Sequence, residues 1–126
     1  ATSIGRVLVA GLPDAALDAT LDTLEPVPLT ARTLVDKAAL REEILAVRQQ
    51  GYATTVDQLD YGITALAVPI VNEEGRTIAA VNSSGYSGML SPEALVAERL
   101  GELRAVAKSI ALQLTRFPTL RAVLDN

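Results

Sequence analysis

The sequence predicts a mixed α+β domain in which an antiparallel hairpin packs against helices, and three observations lead there. Residues 36–51 and 92–115 carry apolar side chains at helical spacing. Between them, "GITALAVPIV" and "RTIAAVNSS" are strand-like runs joined by the turn-rich "NEEG". A length of 126 residues suits one domain that buries a single core without disulfide or metal staples.

Each element has its own signal. "TSIGRVLVAGLP" offers Thr2 or Ser3 as a helix cap, puts Ile4, Val7 and Leu8 on one side, and stops at Gly11 and Pro13. "PDAALDATLDTLEP" spaces Leu17, Leu21 and Leu24 helically, with Asp14 near the helix start and Pro26 and Pro28 beyond its end. From Asp36, "DKAALREEILAVRQQG" places Leu40, Ile44 and Val47 on one face and Gly51 as a left-handed stop. "YATTVD" (52–57) is β-branched enough for a strand, followed by the hairpin strands 62–71 and 76–84. Ser91-Pro92-Glu93 starts a helix with the stripe Val96, Leu100, Leu103, Ala107, Ile110 and Leu114, and Pro118 opens a short tail.

Composition excludes several chemistries. Neither Cys nor His occurs, which removes thiol chemistry, imidazole catalysis and the usual zinc or copper ligand sets. No catalytic residue, cofactor or metal is expected. Fifteen acids against eleven bases give a net charge of -4 without a dense basic run, so this chain is not expected to bind nucleic acid itself. No apolar stretch approaches the roughly 20 residues that span a bilayer, and no export signal is visible. The expectation is a cytoplasmic domain without a membrane partner.

The stretch "AAVNSSGYSG" (79–88) runs an apolar strand into three hydrogen-bonding side chains. They could be a nucleophile, a ligand shelf, or a strand end capping its own backbone. Closing the hairpin with the four residues 72–75 sets Val71 opposite Arg76, Ala67 opposite Ala80, Ala65 opposite Asn82 and Ile63 opposite Ser84. Alternation then gathers these small and polar residues on one face, and Thr64, Leu66, Val68, Ala79, Val81 and Ser83 on the other. Alanines in the middle of a covered sheet leave either close backbone packing or a cavity, and a cavity with convergent polar groups suits a small molecule.

Other candidates are weaker. Ser83, Ser84 and Ser87 have no histidine to activate them, and "NSSGYSG" is not a G-x-S-x-G elbow. Asp57 and Asp60 could pair as acid and base or bind a hard cation, although loop acids are more commonly solvated. Arg6 is expected to be an exposed helix arginine. The start of its helix is more informative, because unpaired N–H groups around Ser3 to Gly5 would attract a carboxylate.

The ordered segments "ATSIGRVLVAGLP", "LREEILAVRQQGYATTVDQLDYGITALAVPIVNEEGRTIAAVNSSGYSG" and "SPEALVAERLGELRAVAKSIALQL" resemble the C-terminal effector-binding domain of IclR-family bacterial transcription regulators. The first of them, with "VPLTARTLVD", resembles the subgroup that governs aromatic-acid catabolism by the β-ketoadipate pathway. The resemblance covers nearly the whole chain as a distributed pattern. It implies a GAF-like, profilin-like antiparallel sheet flanked by helices, with a small organic acid bound between sheet and helices. In the family's "GxGKA"-like helix start, backbone N–H groups take the carboxylate, a position filled here by Ser3, Ile4 and Gly5. The family's pocket-facing strand positions fall on Ile63, Ala65, Asn82 and Ser84.

The same resemblance implies a homo-oligomer, dimer or tetramer. It implies DNA contact only through an N-terminal winged helix-turn-helix that residues 1–126 lack, so the domain is expected to be truncated at its N-terminus. The family lysine is Arg6 here, and the acid-rich approach to the strand is the sparser "TTVDQLDYG". The expected function is sensing of a carboxylate effector, which would fill the space over Ala65, Ala67 and Ala80. The alternative is an association module without a ligand.

Overall fold

A computed structural model describes residues 1–125. Its elements follow the order α1 (Ser3–Ala10), α2 (Asp14–Thr23), α3 (Lys37–Gln50), β1 (Ala53–Val56), β2 (Ile63–Val71), β3 (Thr77–Tyr86), α4 (Pro92–Arg116) and α5 (Pro118–Asp125). The three strands form an antiparallel sheet in the order β1-β2-β3. Helices cover both faces, because the sheet alternates two apolar sets. Ala53 and Ala67 pack with Val7, Leu17, Ile44 and Val47 on one side, and Leu66, Val68 and Ile70 pack with Leu95, Leu103 and Ala107 on the other.

Local chemistry sets the helix ends. The Thr2 hydroxyl accepts from Gly5 N at 3.0 Å to cap α1, Asp36 caps α3 through Ala39 N at 3.1 Å, and Ser91 caps α4 through Ala94 N at 3.1 Å. Gly51 ends α3 at φ 80°, which a residue with a Cβ adopts only under strain. Pro92 sits in the first turn of α4, where its missing N–H costs nothing.

The sheet departs from the expected hairpin pairing by two residues. Ala65 faces Ser84, Ala67 faces Asn82, Pro69 faces Ala80 and Ile63 faces Tyr86. Two local causes add. Asn72 bonds Arg76 rather than lying inside the turn, and Gly75 takes φ 80°, so the loop is one residue shorter. Between the Val71–Thr77 and Ile70–Ala79 pairs, Ile78 has no partner and forms a bulge, which adds the second residue. A shift of two preserves the face of every side chain, so Ile63, Ala65, Asn82 and Ser84 still share one side.

Four further expectations change. Leu8 and Leu24 are 40% and 38% exposed, because the buried faces of their helices run through Val7 and Ala10 and through Leu17 and Leu21. On α4 the deepest residue is Leu95, which the expected stripe omitted. The segment after Pro118 is helical, proline being compatible with a helix's first turn. Arg6 is 5% exposed rather than solvated, because α1 lies against the sheet and α3. Residue 126 of the expected domain lies outside the described residues.

Candidate functional site

The register aligns Thr55, Ala65 and Ser84 in one row across the three strands. Above this row the first turn of α1 brings Thr2, Ser3 and Ile4, leaving a cavity of about 250 Å³. Ile63, Asn82 and Leu59 complete its lining. Six of the seven residues picked from the sequence therefore surround one space: Ser3, Ile4, Ile63, Ala65, Asn82 and Ser84. Gly5 does not line it, and its N–H is taken by the Thr2 hydroxyl. Ala67 and Ala80 lie off this space as well, Ala67 being fully buried in the core and Ala80 packed against the same cluster.

The cavity is polar at the helix end and apolar along the sheet. Ser3 and Ile4 are the first two residues of α1, so their N–H groups have no acceptor within the helix. Ser3 and Thr55 are 2% and 6% exposed, and among the described residues their hydroxyls have no hydrogen-bond partner. Arg6 Nε is the one fully enclosed, unpartnered side-chain atom among the described residues, so these two hydroxyls open onto the cavity and are available to a ligand. Asn82 and Ser84 are exposed and stand at the rim on edge strand β3, with Asn82 Nδ2 3.5 Å from Ser84 Oγ. No acid or base is among the lining residues.

Charge enters from behind the helix. Arg6 donates from Nη2 to Gln58 Oε1 at 2.5 Å, and its Nη1 lies 3.9 Å from Glu43 Oε2. Its Nε has no partner. Burial pushes the Arg6 pKa down, and Glu43 opposes that shift. The Ala1 amino group is lowered by burial first and then by the Arg6 charge, so that charge is felt at the start of α1.

Thr2, Thr55, Leu59 and the Arg6–Gln58 pair were not singled out as site residues. Period-two alternation in "YATTVD" could have found Thr55, since it shares a face with Ala53. Leu59 sits in an irregular loop and leaves no periodic trace. That loop is fixed from outside: Thr33 Oγ1 donates to the Gln58 carbonyl at 2.6 Å, and the Tyr61 hydroxyl accepts from Ala31 N at 2.9 Å.

A larger open groove of about 510 Å³ lies between the ends of α1 and α3 and the β2–β3 turn. Its Arg48 is already engaged with the carbonyls of Ala10 and Leu12 and with Asp14. The smaller cavity is the better candidate because the Ser3 and Thr55 hydroxyls and the first N–H groups of α1 have no protein partner there. The acids of the loop do not form a second site: Asp57 is consumed by Gly62 N and Ser87 Oγ, and among the described residues no cluster of acids could hold a metal. Among them, too, no helix is long and apolar enough to cross a membrane.

Comparison with known proteins identifies the family and the fold. The chain is 34% identical to the Pca regulon regulatory protein of Pseudomonas putida, over 90% of this chain and 39% of that protein. A transcriptional regulator from Rhodococcus sp. RHA1 superposes with a TM-score of 0.87 at 42% identity, covering 90% of this chain and 46% of that one. The inducer-binding domain of the Acinetobacter transcription factor PobR, solved as a double mutant with 3-hydroxybenzoic acid, superposes with a TM-score of 0.82 at 32% identity, over 88% of this chain and 63% of that one. The chain thus spans about two-fifths of the length of such a curated relative. The family model described as the bacterial transcriptional regulator IclR C-terminal matches residues 1–112, and this chain belongs to the IclR family as its C-terminal, effector-binding domain.

Proposed function

We propose that this domain senses a small organic acid, an aromatic or β-ketoadipate-pathway metabolite, in the cavity between α1 and the sheet. The observation that carries the reading is the pair of hydroxyls of Ser3 and Thr55, without protein partners and open to the cavity, beside the open N–H groups of α1. A carboxylate there gains charge-assisted hydrogen bonds and the favourable end of the helix dipole. Its hydrocarbon part lies on Leu59, Ile63 and Ala65, and a ring hydroxyl reaches Asn82 and Ser84. A space of about 250 Å³ suits one ring rather than a cofactor. The likeness to a PobR domain solved with 3-hydroxybenzoic acid supports the same class of ligand.

In the full-length regulator, the acid would favour one arrangement of a homo-oligomer, dimer or tetramer, and so alter DNA binding by an N-terminal winged helix-turn-helix. Exposed Val106, Leu112 and Phe117 on and just after α4 offer apolar surface for such pairing. Isothermal titration with 3- and 4-hydroxybenzoate, protocatechuate and adipate tests the reading. Saturable heat with at least one acid, weakened in Asn82→Ala, is expected. No heat with any acid would leave the ligand-free association module as the function.

A further inference from the structure

Arg6 is a buried guanidinium with one donor unmet, an arrangement that costs stability unless the remaining bonds do something specific. Its shortest contact is not to an acid. Glu43 is more than half exposed and 3.9 Å away, whereas the neutral Gln58 side chain lies 2.5 Å from Nη2. Gln58 Oε1 also accepts from Leu34 N at 3.2 Å. Arg6 therefore joins two parts of the cavity wall. It belongs to α1, whose first turn carries Thr2, Ser3 and Ile4, and Gln58 directly precedes Leu59 on the opposite wall.

We propose that Arg6, acting through Gln58, is a positioning residue that sets the width of the cavity between the first turn of α1 and Leu59. The guanidinium supplies a rigid, planar fork at a fixed reach from the helix backbone. Thr33 holds the backbone of the same loop at 2.6 Å, so movement of Leu59 is limited from two sides. Cutting the Arg6 link removes the hold on the helix side while the outer contacts remain, so the wall can shift away from the helix. A narrow guest should lose affinity and a wide one should lose less.

This rests on the carboxylate reading above, and titration of the intact chain with two acids separates the two. The probes are 4-hydroxybenzoate and the two-ring 6-hydroxy-2-naphthoate. The unaltered protein should prefer the one-ring acid. Gln58→Met removes the acceptor at similar length and should weaken 4-hydroxybenzoate about tenfold, with a clearly smaller loss for the naphthoate. Gln58→Glu keeps an acceptor oxygen for both Arg6 and Leu34 and should restore affinity and preference to within about twofold. Gln58→Asn keeps the amide but shortens the link by one methylene, so it provides the same test, about threefold in size, if the Met variant does not fold. Unchanged affinity in a folded Gln58→Met or Gln58→Asn variant, or equal losses for both acids, would overturn the positioning role while leaving the carboxylate site intact. Absence of binding by the unaltered protein would overturn the carboxylate reading and this one together.

Discussion

Asp57 shows how much of this domain depends on single polar contacts. Its backbone lies at φ 55°, a left-handed conformation that Asn and Asp tolerate better than other side-chain-bearing residues. Its Oδ1 accepts from Gly62 N at 2.8 Å and from Ser87 Oγ at 3.1 Å, and Ser87 continues to the fully buried Thr64 at 2.8 Å. One carboxylate thereby closes the loop that carries Leu59 and joins the ends of β2 and β3. Asp57→Asn keeps the conformation and one acceptor and should cost under about 1 kcal/mol, while Asp57→Ala should cost about 2–3 kcal/mol in urea unfolding. Equal effects would show that neither the retained acceptor nor the left-handed conformation holds the loop. Ser3 makes the opposite case. Its hydroxyl has no protein partner, so Ser3→Ala should change stability by less than about 0.5 kcal/mol yet weaken acid binding several-fold. Denaturant melts and titration on the same sample decide it, and unaltered affinity would remove Ser3 from the site. None of these pairings is visible in sequence, because Asp57 and Ser87 are thirty positions apart and only the folded sheet brings them together.

At the level of elements, the sequence was legible where one physical rule acted alone. Helix α3 follows from its period of apolar residues, its Asp36 cap and its Gly51 stop, all of which the structure contains. Gly51→Ala tests that reading, since a Cβ at φ 80° is strained and would also meet Arg104 at 3.4 Å. A loss of about 1 kcal/mol is expected in thermal unfolding, and a gain would mean that helix propensity outweighs the left-handed cap. The hairpin was less legible, because two local defects compete with simple pairing. A shorter loop and the Ile78 bulge each move the register by one residue, and neither has a marker that strand propensity detects. Side-chain parity survived only because the two shifts sum to an even number. The approach of α1 to β3 is another long-range fact. An added Cβ on Gly11 would lie 2.5 Å from Thr77 Cβ, so Gly11→Ala should push the helix off the strand and cost about 1–3 kcal/mol.

For the whole molecule, the division between sheet faces decides whether there is room for a guest. One face is filled by α4 with Leu66 and Val68 fully buried beneath it. The other is filled by α1 and α3 only as far as Ala53 and Ala67, and opens beside Ala65 where α1 begins. Sequence alternation put Ala65 and Ala67 on the same face but could not say which of them a helix covers, since that depends on where α1 crosses the strands. Enlarging each alanine in turn distinguishes them. Ala67→Leu must force extra volume into a filled core and should destabilise the domain by about 1–3 kcal/mol. Ala65→Leu has empty space to grow into, so it should leave stability within about 1 kcal/mol while abolishing binding of hydroxybenzoates. Chemical denaturation of both variants, followed by titration of those that fold, gives the comparison. Equal destabilisation by the two leucines would mean that the sheet is closed above Ala65, and association without a ligand would then account for the domain better than sensing does.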